Sequence, residues 1–231
     1  MKENSESSWD NYWEAPNSRD LSQRVYSVIA SFYRKQLIGP RLRSVLTRNF
    51  AKGSSLLHAG CGAGEVDLYV PNDFKISALD ISIKALEEYS ALHKNNSVIH
   101  ADLLNLQLDS SSYDGIYNLG VMEHFTPGEV DTMLATFHSL LKKDGKLILF
   151  WPPSYGSSVI FLKIVHAIMK IRKGKSFEPL HPDEPNKLTT RKKLQRQLRV
   201  NGFSLISMRM SPRDGLTYMV VVAQKATKEI D

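Results

Sequence analysis

Cysteine is almost absent from this 231-residue sequence: Cys61 is the only one. One thiol cannot close an intramolecular disulfide or build a cysteine-rich zinc site, and such sparing use fits a reducing compartment. The opening residues, MKENSESSWDNYW, are polar, so neither a secretory signal nor a membrane anchor is expected there. Together these point to a soluble, cytoplasmic protein. Internal repeats are missing, and the Ser/Asn-rich first eighteen residues are the one low-complexity tract. What is present fits one globular domain: 42% hydrophobic and 23% charged residues. A chain of this length buries roughly 70–75% of its unfolded surface, so its core needs no staple.

Charge is modest overall, 30 Lys and Arg against 24 Asp and Glu, but unevenly spread. Residues 151–200 hold 11 basic and 3 acidic side chains, and the rest of the chain is slightly acidic. A basic region of that kind suits nucleic acid, anionic lipid or mere solubility.

From Leu21, apolar residues recur at helical spacing through Val25, Val28, Ile29, Phe32 and Tyr33, with Asp20 placed as the cap. Pro40 is read as starting a second helix with Leu42, Val45, Leu46 and Phe50. After Leu56-Leu57 the pattern changes. Apolar runs near 76–79, 97–99, 115–119 and 146–151 read as strands, with helices expected near 65–70, 82–93 and 127–141. The alternation predicts a doubly wound α/β sheet, mostly parallel. A long excursion over 154–188 leads to a Thr190-capped basic helix, and two strands near 203–210 and 216–224 are too close for a parallel crossover, so they form an antiparallel hairpin.

The segment LLHAGCGAG places Gly60, Gly62 and Gly64 between a strand and an expected helix, where bare backbone amides can approach a ligand. A tight turn with no ligand is the plainer alternative. A nicotinamide or flavin fingerprint would want glycine where Glu65 stands. The next strand ends in Asp80, a carboxylate suited to both hydroxyls of a ribose or to capping the helix at Ser82. The third strand leads to Asp102, beside the same crevice.

In this order and spacing, LLHAGCGAG, ALDIS, HADLL, YDGIYNLGVMEHF and LLKKDGKLILF resemble class I S-adenosylmethionine-dependent methyltransferases, of the small-molecule type, over residues 54–151. The resemblance implies a Rossmann-like seven-stranded sheet with an antiparallel last strand, a methyltransferase domain over 54–231 with a lid-like insertion at 154–188, and a cap formed by residues 1–53. It implies S-adenosylmethionine as cofactor, with Gly60, Cys61, Gly62 and Gly64 around its methionine part and Asp80 on the ribose. Ile81 would pack on the adenine, with Asp102 and Leu103 at its edge; Asn118 and Leu119 would lie near the sulfonium, and Glu123 would serve the cofactor pocket or order its loop. The family usually carries an acidic residue where this chain has His58. A protonated imidazole there would repel the cofactor's ammonium, so binding is expected to weaken as pH falls through the imidazole's titration.

Methyl transfer mainly requires an acceptor held in line and shielded from water. Where the acceptor is a hydroxyl a base is needed, and His124, in the Glu123-His124 pair after the fourth strand, is the candidate, with a structural cap as its alternative. Base-methylating enzymes tend to carry Asn/Asp-Pro-Pro-aromatic at the place of Asn118-Leu119-Gly120-Val121, so nucleic acid is not the expected partner. Trp151 and Tyr155, flanking Pro152-Pro153-Ser154, face either the acceptor or ordinary core. No cluster with metal-ligand spacing stands out, so no metal is expected. Ten of thirteen residues from Val159 to Ile171 are apolar, too short to span a bilayer. Over 159–175 such a segment suits a peripheral membrane contact, a lid or a dimer contact, leaving monomer and dimer both open. Trp9, Tyr12 and Trp13 are read as a cap over the cofactor or a loose tail. The reading is a methyltransferase acting on a small-molecule or lipid-like acceptor at oxygen, with RNA methylation or an inactive cofactor-binding regulator as alternatives.

Overall fold

In the computed structural model, residues 6–14, 28, 30–154, 156, 186, 188 and 190–226 are described. Seven strands make one sheet: β1 (Ser55–Ala59), β2 (Lys75–Asp80), β3 (Ser97–His100), β4 (Tyr113–Leu119), β5 (Leu141–Trp151), β6 (Phe203–Arg209) and β7 (Met219–Lys225). Their order is β3-β2-β1-β4-β5-β7-β6. The first five are parallel, and β7 enters antiparallel to both β5 and β6. The order reverses at β1 and β4, which is where an open α/β sheet forms its binding crevice at the strands' carboxyl ends.

Side-chain alternation divides the core between the two faces of the sheet. Five helices are described: α1 (Glu6–Glu14), α2 (Gly39–Asn49), α3 (Ile83–Leu92), α4 (Pro127–Leu140) and α5 (Arg191–Val200). On one face, Leu42, Val45 and Leu46 of α2 pack with Leu56, Ile76, Tyr117, Ile148 and Val220. On the other, Val130, Met133, Leu134 and Phe137 of α4 and Leu194 and Leu198 of α5 pack with Leu57, Ile116, Leu147, Leu149 and Val221. Local signals set the starts of these helices. Thr126 and Glu129 form a reciprocal capping box with Pro127 in the first turn, and Thr190 accepts from the Lys193 amide.

The structure departs from the sequence reading at two places. The helix expected near 65–70 is a single 3₁₀ turn, Asp67–Tyr69, because Pro71 and the start of β2 at Lys75 leave no length for more. Its place against the sheet is taken by α2, which approaches so closely that a Cβ on Gly39 would lie 2.3 Å from the Tyr69 ring. Pro40 lies in the first turn of α2, as the sequence reading has it, and a π turn, Arg34–Ile38, runs directly into that helix, the wider turn accommodating a ring that has no N–H to give. The Asp20 cap and the stretch 20–27 lie outside the described residues. At the end of α4, Lys143-Asp144-Gly145 belongs to an irregular start of β5, with Asp144 in the left-handed region at φ 61°.

Only the ends of the 154–188 excursion are described. It leaves β5 beside its own return: Pro153 and Leu188 form a parallel bridge, Leu188 N–H donates to the Pro152 carbonyl at 3.3 Å and Ser154 N–H to that of Leu188 at 3.2 Å. Tyr155 and the apolar stretch over 159–175 lie outside the described residues. Among the described residues no helix is long and apolar enough to cross a membrane.

Candidate functional site

The glycine loop after β1 folds back over the end of β2, with the Gly60 and Cys61 amides both donating to the Leu79 carbonyl at 2.7 and 2.9 Å. All three of its glycines have positive φ and no room for a Cβ, Gly60 against Val121. Gly62 has φ +52° and would put a Cβ 2.9 Å from the Trp13 ring; Gly64 has φ +72° and would put one 2.4 Å from Tyr89. Burial and the nearby carboxylates of Asp80 and Asp67 push the Cys61 thiol up, so it stays protonated and is no nucleophile.

Asp80 joins this loop to the next element. One carboxylate oxygen accepts from the Gly62 amide at 2.8 Å, the other from the Ser82 amide at 3.0 Å. Ser82, not Asp80, caps α3, accepting from the Ala85 amide at 3.2 Å. Burial raises the Asp80 carboxyl above the usual carboxylate range, although the Ser82 and Gly62 amides and His58 oppose it. Ile81 follows directly, half-buried, its carbonyl accepting from His100 Nε2 at 3.0 Å. Asp102 lies just past β3, whose next amide, Ala101, donates to the Asp80 carbonyl at 3.1 Å. Its carboxylate takes the Leu104 amide and the Asn105 side chain, and Leu103 is buried beside it. The sheet thus gathers Gly60, Gly62, Gly64, Asp80, Ile81 and Asp102 at one edge.

His58 faces the opposite way from the buried side chains Leu57 and Ala59. It is 1% exposed, stacks on Tyr117 at 4.4 Å between ring centroids, and its Nδ1 lies 2.8 Å from Asp67 Oδ2. No local sequence signal marks that partner, because Asp67 sits where a helix was expected near 65–70. Asn118, next to last in β4, is fully buried, and neither atom of its carboxamide has a hydrogen-bond partner among the described residues. Leu119 points to the other face, with α2. A short 3₁₀ turn, Met122–His124, then buries Glu123 and His124. Glu123 Oε1 and the Tyr218 hydroxyl both lie within 3.4 Å of where a Cβ on Gly120 would be. Trp151 lies in the core, 1% exposed, its indole N–H donating to the Asn186 carbonyl at 2.8 Å, while the Asn186 amide donates to the Glu123 carbonyl at 3.1 Å. Asn186 and Tyr218 carry no local sequence signal; the sheet brings them to the post-β4 turn.

Helix α1 crosses this edge. Trp13 lies on Gly62, Trp9 meets His124 edge-on at 5.2 Å, and Asp10 accepts from the Ser82 hydroxyl and the Lys84 amide. Glu6 reaches His100 at 3.3 Å. Among the described residues no group of His, Cys, Asp and Glu is arranged to hold a metal ion.

Residues 56–145 match a family described as "Methyltransferase domain". Over 98 residues, 42% of this chain and 26% of the relative, the sequence is 28% identical to the cyclopropane-fatty-acyl-phospholipid synthase of Escherichia coli strain K12. The chain therefore spans about a quarter of the curated relative it matches. Among solved structures it is similar to 1,6-didemethyltoxoflavin-N1-methyltransferase of Burkholderia thailandensis with bound 1,6-didemethyltoxoflavin and S-adenosylhomocysteine, with a TM-score of 0.63, 19% identity and coverage of 92% of this chain and 91% of that one. It is also similar to magnesium protoporphyrin IX methyltransferase of Synechocystis PCC 6803 with bound SAH, with a TM-score of 0.64, 18% identity and coverage of 97% and 98%. Over 56–145 this chain thus resembles the methyltransferase-domain family, and over nearly its whole length it shares the fold of these two methyltransferases.

Proposed function

We propose that this protein transfers a methyl group from S-adenosylmethionine to the oxygen of a small-molecule or lipid-like acceptor. The observation that carries this reading is the Gly60–Gly64 backbone tied to the Asp80 carboxylate at one sheet edge, with α1 set across it so that Trp13 lies on Gly62 and Trp9 meets His124. The residues fit the donor: Asp80 is already fixed by two amides with lone pairs left for ribose hydroxyls, and the buried Asn118 carboxamide, next to last in β4, is unsatisfied by the described residues. When bound, S-adenosylmethionine supplies an already activated methyl group, leaving as S-adenosylhomocysteine with the carbon–sulfur electron pair on sulfur. The chain's part is to bind, orient and dry the acceptor. As the new carbon–oxygen bond forms, His124 takes the hydroxyl proton, and the Glu123 and Trp151 contacts to Asn186 hold the wall beside it.

The lipid-like class draws support from the stretch similar to a synthase of fatty-acyl phospholipids and from the apolar character of 159–171. On this reading that stretch covers a greasy acceptor at a membrane surface, and the basic helix α5 that follows it in the sequence favours an anionic one. The test is transfer of labelled methyl from S-adenosylmethionine into cell extract divided into lipid, small-molecule, protein and RNA fractions. Label is expected in the lipid or small-molecule fraction as an ether or ester. Label in RNA, or tight donor binding with no transfer anywhere, overturns the reading.

Residues 1–53 act in this scheme as the cap, with α1 closing over the donor. Trp13→Ala removes an aromatic from the Gly62 backbone, and partial loss of its burial, about 1–1.5 kcal/mol, corresponds to about tenfold weaker donor binding. Stopped-flow release of S-adenosylhomocysteine should speed up by a similar factor while its association rate changes little; an unchanged release rate removes α1 from the cap.

A further inference from the structure

One buried carboxylate has no part in the chemistry above. The Asp67 side chain is 0% exposed and accepts from three elements at once: His58 Nδ1 on β1 at 2.8 Å, the Tyr89 hydroxyl on α3 at 2.8 Å and the Tyr117 hydroxyl on β4 at 3.0 Å. Nothing in the packing of a 3₁₀ turn requires a charge there, and an unpaired carboxylate so deep would be costly. Its three donors make it tolerable. Asp67 also reaches the glycine loop directly, its backbone N–H donating to the Gly64 carbonyl at 2.9 Å. The same carbonyl accepts from His93 Nε2 at 2.9 Å, and the Tyr89 ring fills the space beside the Gly64 Cα.

The loop is therefore pinned at two points. Above, Gly62 is tied to Asp80; below, Gly64 is tied to Asp67 and to Tyr89, itself oriented by the Asp67 carboxylate. A crossover helix would hold such a loop by its own first turn, but here that helix is reduced to one 3₁₀ turn. We propose that Asp67 is a positioning residue for donor binding, its carboxylate network with His58, Tyr89 and Tyr117 holding the Gly60–Gly64 backbone in the conformation that receives the methionine part of S-adenosylmethionine. This rests on the reading of that loop as the donor site. Asp67 touches no reacting atom; it acts through Gly64. The titratable groups facing it are His58, Cys61, Tyr89 and Tyr117, with Asp80 at the end of β2 acting on the same His58 and Cys61.

Calorimetric titration of the full chain with S-adenosylhomocysteine tests it. Wild-type protein comes first: no binding there overturns the assignment of the loop itself rather than the role of Asp67. Given wild-type binding, Asp67→Asn, which turns an NH2 either toward the Tyr117 hydroxyl or toward both His58 Nδ1 and the Tyr89 hydroxyl, is expected to weaken affinity by about tenfold or more. Leu46→Ala is the comparator, since it opens the α2 core on the same sheet face without touching the carboxylate. It should lower the melting midpoint while leaving affinity within about twofold of wild type. Asp67→Asn binding within that same margin, or an equal loss of affinity in Leu46→Ala, overturns the proposal. Should Asp67→Asn fail to fold, Tyr89→Phe keeps the ring against Gly64 and removes one donor; about threefold weaker binding is then expected, and unchanged binding counts against it.

Discussion

Asp80→Asn is expected to raise the dissociation constant for S-adenosylmethionine and its product by about a hundredfold, the sum of two charge-assisted hydrogen bonds to ribose at about 1.5 kcal/mol each. The loss has a second source. In the wild type one carboxylate oxygen accepts from Gly62 and the other from Ser82, so either orientation of an asparagine amide turns an NH2 toward a backbone N–H. The loop then loses its upper anchor along with the ribose contact. Calorimetry reads the affinity and circular dichroism confirms the fold; affinity within about threefold of wild type would take Asp80 out of the donor site.

Acid should reveal the same carboxylate. Burial raises Asp80 above the ordinary carboxylate range, so its ionised form costs stability and is the first to be lost as pH falls. Protonation there relieves the fold but removes the acceptor for ribose. For Asp67, burial acts upward as well, but the His58 charge and the hydrogen bonds from His58, Tyr89 and Tyr117 outweigh it, and the net direction is down. Its contribution to stability is present above its unfolded value and disappears only as pH falls through the depressed folded one. Donor release is therefore expected at milder acidity than loss of structure. Affinity and melting midpoint falling together over one pH interval would contradict this order.

His124→Ala is expected to lower kcat by about a hundredfold or more, the usual contribution of a positioned base, with S-adenosylhomocysteine affinity nearly unchanged. His124 sits in the 3₁₀ turn that follows β4, buried and edge-on to Trp9, which keeps water from the imidazole while the neighbouring Glu123 fixes the turn to Asn186. A base so placed serves a hydroxyl acceptor; an acceptor already ionised would not need it. The diagnostic is the split between constants. A fall in kcat with donor binding intact, and loss of the acidic limb of the rate profile, identifies the base, whereas turnover kept within about threefold at saturating donor leaves His124 as a structural cap of its turn.

Several features were legible from short stretches of sequence because the forces behind them act over a few residues. Thr126-Pro127 with Glu129, and Thr190 ahead of a basic helix, announce helix starts by hydrogen bonds that close within three positions. The short link between the last two strands, expected as Ser211 to Gly215 and found to run from Met210 to Tyr218, is too brief for a parallel crossover and leaves β6 and β7 antiparallel. LLHAGCGAG and the Asp80 that follows it mark the ends of β1 and β2, and any parallel pairing of those strands brings them to one edge. The helix anticipated over 65–70 failed on a local matter too: Val66 to Val70 are apolar enough for one, but the chain must reach β2 by Lys75.

Sequence by itself thus determined the parallel sheet, its antiparallel end, the glycine loop and the carboxylate beside it, since each follows from periodicity, chain length or backbone freedom. Tertiary structure alone decided what fills the space behind that loop. Asp67 finds its donors 9, 22 and 50 positions away, on β1, α3 and β4. Trp13 reaches Gly62, and Asn186 reaches Trp151, across similar gaps. Such pairings depend on strand register and on the rotation of each helix against the sheet, and a buried charge takes its partners from whatever those rigid elements bring within hydrogen-bond reach.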